Sequence, residues 1–236
     1  MSELGADAVA ERLESIRTRV TNAADAAGRE ASSIRVLAVT KGHSVDAVTI
    51  AAQLGLRDIG ESRVQEAQAK SAAYEGAAVS WHMVGHVQRN KARAAAVLFD
   101  TVHSVDSAAL ATALARHRAA VPAPLRVFVE VELSGIAGRS GVSAQDAPAL
   151  IAELRSLPEL QLEGLMTIAP PGPPELAARC FSRLRDLRAA VADSRGIALP
   201  GLSMGMSGDF EIAIAHGATV IRLGRVLFGD PVGSGT

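Results

Sequence analysis

Lys41 closes an apolar run, Ile34-Arg35-Val36-Leu37-Ala38-Val39-Thr40-Lys41. A lysine at a strand end is expected half inside a low-dielectric core, where burial disfavours the charged amine. The neutral amine is a nucleophile that condenses with an aldehyde. The plainer alternative is a lysine whose stem lies on the core while its head reaches water. Two further segments carry chemistry. Met204-Gly205-Met206-Ser207-Gly208-Asp209 reads as a strand, a turn and a helix starting near Ser207. Free N–H groups at such a start attract an anion, although Ser207 also reads as a simple N-cap. Arg222-Leu223-Gly224-Arg225 ends another strand. Gly224 there either lets backbone approach a ligand or makes a tight turn. An inward Arg222 is a buried charge that needs a partner. The candidates are an ion pair with Glu61 or Glu132, or a ring nitrogen or carboxylate that suits a planar guanidinium.

These groups act together only if a fold brings their strand ends to one face. Eight short apolar, β-branched runs recur, at 34–41, 56–60, 79–85, 99–104, 125–133, 162–168, 201–205 and 219–223. Segments of helical period follow them, at 45–54, 62–72, 88–97, 107–118, 144–157, 174–194, 207–216 and briefly after Gly224. An extra helix at 6–27 comes first, with Val9, Leu13, Ile16 and Val20 as its core stripe. Alternating strands and helices imply parallel strands with right-handed crossovers. Eight such units predict an α/β fold, a single (β/α)8 TIM barrel with an N-terminal helix. A doubly wound sheet is the runner-up, weakened because Thr40-Lys41-Gly42-His43 is no glycine-rich fingerprint.

Barrels react at the C-terminal ends of their strands, and often hold phosphate in the loops after strands seven and eight. The ends here are polar: Lys41, Gly60-Glu61, His82, His103-Ser104, Glu132, Met166-Thr167, Met204 to Ser207 and Arg222 to Gly224. A lysine, a phosphate cup and an arginine between them suit a phosphorylated aldehyde, and pyridoxal 5'-phosphate is the leading candidate. A cofactor-free Schiff-base aldolase barrel acting on a sugar phosphate is the alternative in which the protein is colourless.

The chain has 236 residues, 48% apolar and 21% charged, which is a globular profile. Its formal net charge of −1, with no basic cluster interleaved with aromatics, gives no nucleic-acid footprint. There is no basic, then apolar leader and no run of ~18 apolar residues, so neither a signal peptide nor a membrane span is expected. The one cysteine, Cys180, cannot form an internal disulfide and fits a reducing, cytoplasmic setting. Residues 1–236 read as one domain, with 230–236 as a fraying tail.

In combination these motifs resemble the pyridoxal phosphate homeostasis protein family, over residues 6–229. Leu37 to Lys41 resembles the family's lysine-bearing strand. Gly60-Glu61-Ser62-Arg63-Val64-Gln65-Glu66 resembles its G-E-N-x-x-Q-E segment, and Trp81-His82 to Asn90-Lys91 its W-H-x-I-G-x-L-Q-x-N-K segment. His103-Ser104-Val105-Asp106, Arg139-Ser140-Gly141, Gly164-Leu165-Met166, Leu202 to Asp209 and Arg222-Leu223-Gly224 resemble further family motifs. The resemblance implies a barrel like that of fold-type III enzymes such as alanine racemase. It implies pyridoxal phosphate as a Schiff base on Lys41, with phosphate held by Ser207, Gly208, Gly224 and Arg225. It places Arg222 near the pyridine nitrogen, and His82, Met204 and Ser62 among the cofactor contacts. Two residues depart from the family pattern, Ser62 and Glu132, each standing where the family has asparagine.

Racemisation on such a barrel needs a second acid or base opposite the lysine. In alanine racemases a tyrosine from a separate domain, across a dimer, supplies it. This chain ends at Thr236, and its one tyrosine, Tyr74, is expected at the far face. His82 and His103 are alternatives, though each also reads as a hydrogen-bonded structural histidine. The expectation is therefore a carrier that holds pyridoxal phosphate and supports its supply to apo-enzymes, and a monomer. The alternative is an amino-acid racemase or lyase.

Overall fold

The computed structural model describes residues 5–231. Its elements run α1 (Ala6–Ala26), β1 (Arg35–Val39), α2 (Val45–Gln53), β2 (Asp58–Glu61), α3 (Val64–Ala73) and β3 (Ser80–Met83). Then come α4 (Ala92–Leu98), β4 (Thr101–Val105), α5 (Ala108–Arg118), β5 (Leu125–Glu130), α6 (Ala147–Leu154) and β6 (Leu160–Met166). The last are α7 (Pro174–Arg195), β7 (Gly201–Ser203), α8 (Phe210–Ala215), β8 (Val220–Leu223) and α9 (Arg225–Phe228). The strands are parallel, pair in chain order, and β8 returns to pair with β1. The sheet is therefore a closed (β/α)8 barrel with a preceding helix, as the alternation predicts. A doubly wound sheet would have left two open edges.

The period-2 alternation of each strand separates two cores. Residues facing the helices, such as Ala38, Ile59, Trp81, Met83, Val102, Val127, Leu165, Leu202 and Ile221, join one large apolar cluster. A small cluster of Leu37, Val39, Phe128, Met166 and Val220 fills part of the barrel interior. Much of the remaining interior is polar, with His82, His103, Ser203 and Arg222 all buried. The N-terminal helix buries Val9, Leu13, Ile16, Val20 and Ala24 and lies against α8 and α9. Each buried branched side chain there contributes about 1.5–3 kcal/mol. The Arg19 guanidinium, 4.4 Å above the Phe210 ring, also pairs with Glu211 at 2.5 Å.

Several boundaries differ from the sequence expectation. The strand β5 ends at Glu130, not 133, although the Val131 N–H still bonds the Met166 carbonyl at 2.8 Å. The helix expected at 207 starts at Phe210, because residues 207–209 form a turn. The segment expected as helix from 88 opens with a 3-10 turn, Arg89–Lys91. Of the tail expected to fray, Asp230 and Pro231 line the barrel mouth, and residues 232–236 lie outside the described residues.

Candidate functional site

The strand ends open into a cavity of about 910 Å³, a size suited to a small molecule. Lys41, Ser62, Ser207, Gly208, Arg222, Gly224 and Arg225 all line it, so the fold gathers seven of the nine expected site residues. His43, Arg139, Asp209, Asp230 and the proline-rich segment after β6 complete the wall.

Lys41 is not the half-buried strand residue expected. Regular pairing in β1 ends at Val39, followed by a Thr40 N–H bond to the Gly60 carbonyl at 3.0 Å. Gly42, at φ +77°, then turns the chain away. Lys41 is therefore exposed at the mouth and makes no ion pair among the described residues. Its turn is held from behind. Lys70 on α3 is 6% exposed and donates to the Thr40 carbonyl at 2.6 Å, to Glu61 Oε1 at 2.6 Å and to Glu66 Oε1 at 2.8 Å. Glu66 Oε1 in turn accepts the Gly42 N–H at 2.6 Å. The Lys70–Glu66 pair, one helical turn apart, thus grips the backbone on both sides of Lys41. Burial pushes the Glu61 carboxyl above its ordinary range, and the Lys70 and Thr40 bonds only partly offset it.

The two loops opposite are stitched together. Ser207 Oγ accepts the Val226 N–H at 3.2 Å, which joins the turn after β7 to α9. Ser207 is thus not a helix cap, and the N-cap position falls to Asp209. Asp209 Oδ1 accepts the Met206 N–H at 2.6 Å, and burial pushes its carboxyl up despite that bond and the charge of Arg222. The N–H groups of Ser207, Gly208, Gly224 and Arg225 meet no acceptor among the described residues. A side chain at Gly224 would sit 3.1 Å from the Val39 carbonyl oxygen, so glycine keeps the backbone of β8 close to β1 at this point.

Arg222 points inward and is 5% exposed. It pairs with neither Glu61 nor Glu132. Its Nη1 donates to the Ser203 carbonyl at 2.8 Å and to Ser203 Oγ at 2.9 Å, and its Nη2 to the Thr167 carbonyl at 3.0 Å. Burial lowers its pKa to about 10, so it stays charged at neutral pH. A guanidinium has five N–H groups, so two remain for a ligand acceptor.

Two expected contacts lie elsewhere. His82 is buried beneath the cavity and does not line it; its ring nitrogens are taken by Asp58 and His103. Met204 faces the outer core and is fully buried. Glu61 lies on the helix-facing side of β2 with Lys70, not inside the mouth. Glu132 sits past the end of β5 and is held by the Ser134 hydroxyl and the Ser134 and Gly135 N–H groups. The buried acid at that strand end is Glu130, which accepts from Ser140 Oγ at 2.8 Å. Lys70 and Glu130 carried no sequence signal beyond their type, since both follow from packing.

A phosphorylated aldehyde fits this donor set. An unpaired amine faces two loops with open N–H groups, and a charged guanidinium lies between them. Two carboxyls in the wall run against an anion: Asp209, whose neutral form burial favours, and the exposed Asp230.

Comparison with known proteins shows the family. Residues 12–231 match the family model for the alanine racemase N-terminal domain, and the chain belongs to that family. A solved alanine racemase of Clostridium difficile shares the fold at TM-score 0.74 and 16% identity, with 97% of this chain covering 58% of that one. More particularly, the chain belongs to the pyridoxal phosphate homeostasis proteins. The Pseudomonas aeruginosa member is 41% identical over 94% of this chain and 95% of its own. The Escherichia coli K12 member is 35% identical over 94% and 96%. The structure of PipY from Synechococcus elongatus with PLP bound superposes at TM-score 0.84, at 37% identity over 94% of this chain and all of that one.

Proposed function

We propose that this protein binds pyridoxal 5'-phosphate in the barrel mouth and serves in its homeostasis as a reversible holder. The observation that carries this reading is Lys41, an exposed amine, unpaired among the described residues, facing open N–H groups across the cavity. Identity to a relative solved with PLP bound supports it. The cofactor supplies an aldehyde that condenses reversibly with a primary amine. Lys41 supplies that amine, on a turn fixed by Lys70 and Glu66. Ser207, Gly208, Gly224 and Arg225 hold the phosphate with hydroxyl and backbone donors. Arg222 stays protonated, so it donates a hydrogen bond to the ring rather than a proton.

In this reading the protein is a monomeric cytoplasmic carrier that supports supply to apo-enzymes and is not itself an enzyme. No helix among the described residues is long and apolar enough to cross a membrane. The test is a visible spectrum before and after borohydride, with mass mapping. A band that bleaches and leaves a pyridoxyl-phosphate mass on Lys41 is expected. No band after adding the cofactor would refute the reading. Loss of the α-proton from amino acids at enzymatic rates would replace the carrier with a racemase or lyase.

A further inference from the structure

The barrel interior holds two imidazoles that this function does not use. His82 on β3 and His103 on β4 are 1% and 0% exposed. His82 Nε2 lies 2.8 Å from Asp58 Oδ1, and His82 Nδ1 lies 3.0 Å from His103 Nε2. His103 Nδ1 lies 2.8 Å from Ser203 Oγ, which accepts from Arg222 Nη1 at 2.9 Å. The His103 ring stacks on Phe128 at 4.6 Å, only 9° from parallel, which fixes its plane. The five residues form an unbroken chain from the first residue of β2, at the N-terminal end of the barrel, to Arg222 at the mouth.

The protons in this chain have one consistent arrangement. Arg222 only donates, so Ser203 Oγ accepts from it, and its own O–H is directed to His103 Nδ1. His103 then carries its proton on Nε2 and donates to His82 Nδ1. His82 carries its proton on Nε2 and donates to Asp58. Every group is satisfied with both rings neutral. The opposite direction would set a bare His82 Nε2 against the Asp58 carboxylate, so it requires an extra proton. Burial and the surrounding cations oppose that proton. Arg35 from β1 lies 4.0 Å from Asp58, Arg126 from β5 acts on both histidines, and Arg222 from β8 acts on His103. Glu130 and Asp209 act on Arg222 in the opposite sense, favouring its charge.

We infer that Asp58 is a positioning residue for Arg222, acting through His82, His103 and Ser203 by fixing the direction of every hydrogen bond between them. With that direction set, the Ser203 hydroxyl is spent on His103, and its oxygen is free to hold the guanidinium. If the direction reverses, Ser203 Oγ receives two donors and holds Arg222 more weakly. The effect on cofactor binding rests on the proposed function; the direction of the chain does not.

Histidine ¹⁵N long-range correlation spectra of the ligand-free wild type at pH 7 should show both rings neutral and protonated at Nε2. A ring protonated at Nδ1, or an imidazolium, would overturn the inference. A double-mutant cycle of Asp58→Ala and Ser203→Ala tests the coupling, read by Arg222 guanidinium ¹⁵N shifts and by pyridoxal phosphate affinity. Each single variant should weaken affinity by about 3–10-fold, the size of one hydrogen bond. The double variant should bind no more weakly than Ser203→Ala alone. Losses that multiply would mean that Asp58 acts on packing, and would overturn the inference. Asp58→Asn keeps an acceptor oxygen, so it should match wild type; binding as weak as that of Asp58→Ala would also overturn it. If Asp58→Ala does not fold, the wild-type tautomers and Asp58→Asn decide. If wild type takes up no pyridoxal phosphate, the functional reading fails, and the guanidinium shifts alone judge the relay.

Discussion

Replacing Lys70 with methionine keeps an apolar stem of similar length and removes one buried charge. In the native protein the Lys70 ammonium meets the Thr40 carbonyl, Glu61 and Glu66 within 2.6–2.8 Å. After Lys70→Met, Glu61 is left 0% exposed with one partner, Thr40 Oγ1 at 2.5 Å, and its Oε2 already has none. Breaking a buried pair in this way costs about 3–5 kcal/mol. At about 2–4 °C per kcal/mol for a chain of this size, Tm should fall by about 6–20 °C. The loss depends on pH. The folded Glu61 carboxyl titrates above its unfolded value, and losing Lys70 raises it further. A raised carboxyl keeps its proton in the folded state where the unfolded chain has released it, so stability falls as pH rises from the ordinary carboxylate range through the raised one. The Tm deficit should therefore be largest at pH 8 and shrink toward pH 5. Thermal melts of Lys70→Met and Lys70→Met/Glu61→Gln at both pH values test this. The double variant should regain most of the loss at pH 8, because an amide leaves no unpaired charge. A single variant within about 2 °C of wild type at pH 8, or an equal deficit at both pH values, would refute the reasoning.

Lys41→Ala should abolish the borohydride-trapped adduct and leave the circular dichroism spectrum unchanged, since Lys41 is exposed and outside the core. A collapsed spectrum would contradict this. Ser207→Ala should weaken pyridoxal phosphate more than pyridoxal, because its hydroxyl joins the two loops proposed to hold the phosphate; equal losses in titrations of the two ligands would remove Ser207 from the proposed phosphate site. Gly205→Ala forces a side chain into φ +93° and places Cβ 2.6 Å from the Ala213 Cβ. The backbone penalty alone is about 1–2 kcal/mol, so a thermal melt matching wild type would show that the turn after β7 relaxes freely.

Much of this architecture is legible in the sequence because it is local. Period-2 runs such as 125–133 and helical stripes such as Val9, Leu13, Ile16 and Val20 mark their elements, and eight alternations leave few folds besides a barrel. Once a barrel is assumed, strand ends face one mouth, and Lys41, Ser207, Arg222 and Gly224 are found without coordinates. The two residues that miss the cavity do so for different reasons, one of facing and one of depth. Whether a side chain faces the interior or the helices changes with each step along a strand. Met204, one residue past Ser203, faces the outer core, and the inward His82 lies one layer too deep to reach the cavity.

The sequence by itself determined the order of elements, the closed barrel and the lysine that faces the mouth, since each rests on local periodicity or on position at a strand end. Only the tertiary structure decided which of two lysines is free. Lys41 and Lys70 are the same residue type, but α3 packing on β2 buries Lys70 among three oxygens and leaves Lys41 unpaired among the described residues. The stagger of strands around the barrel likewise joins Asp58, His82, His103, Ser203 and Arg222 across up to 164 positions of chain (222 − 58). Local pattern carries no record of such contacts, because they depend on how distant strands register once the sheet has closed.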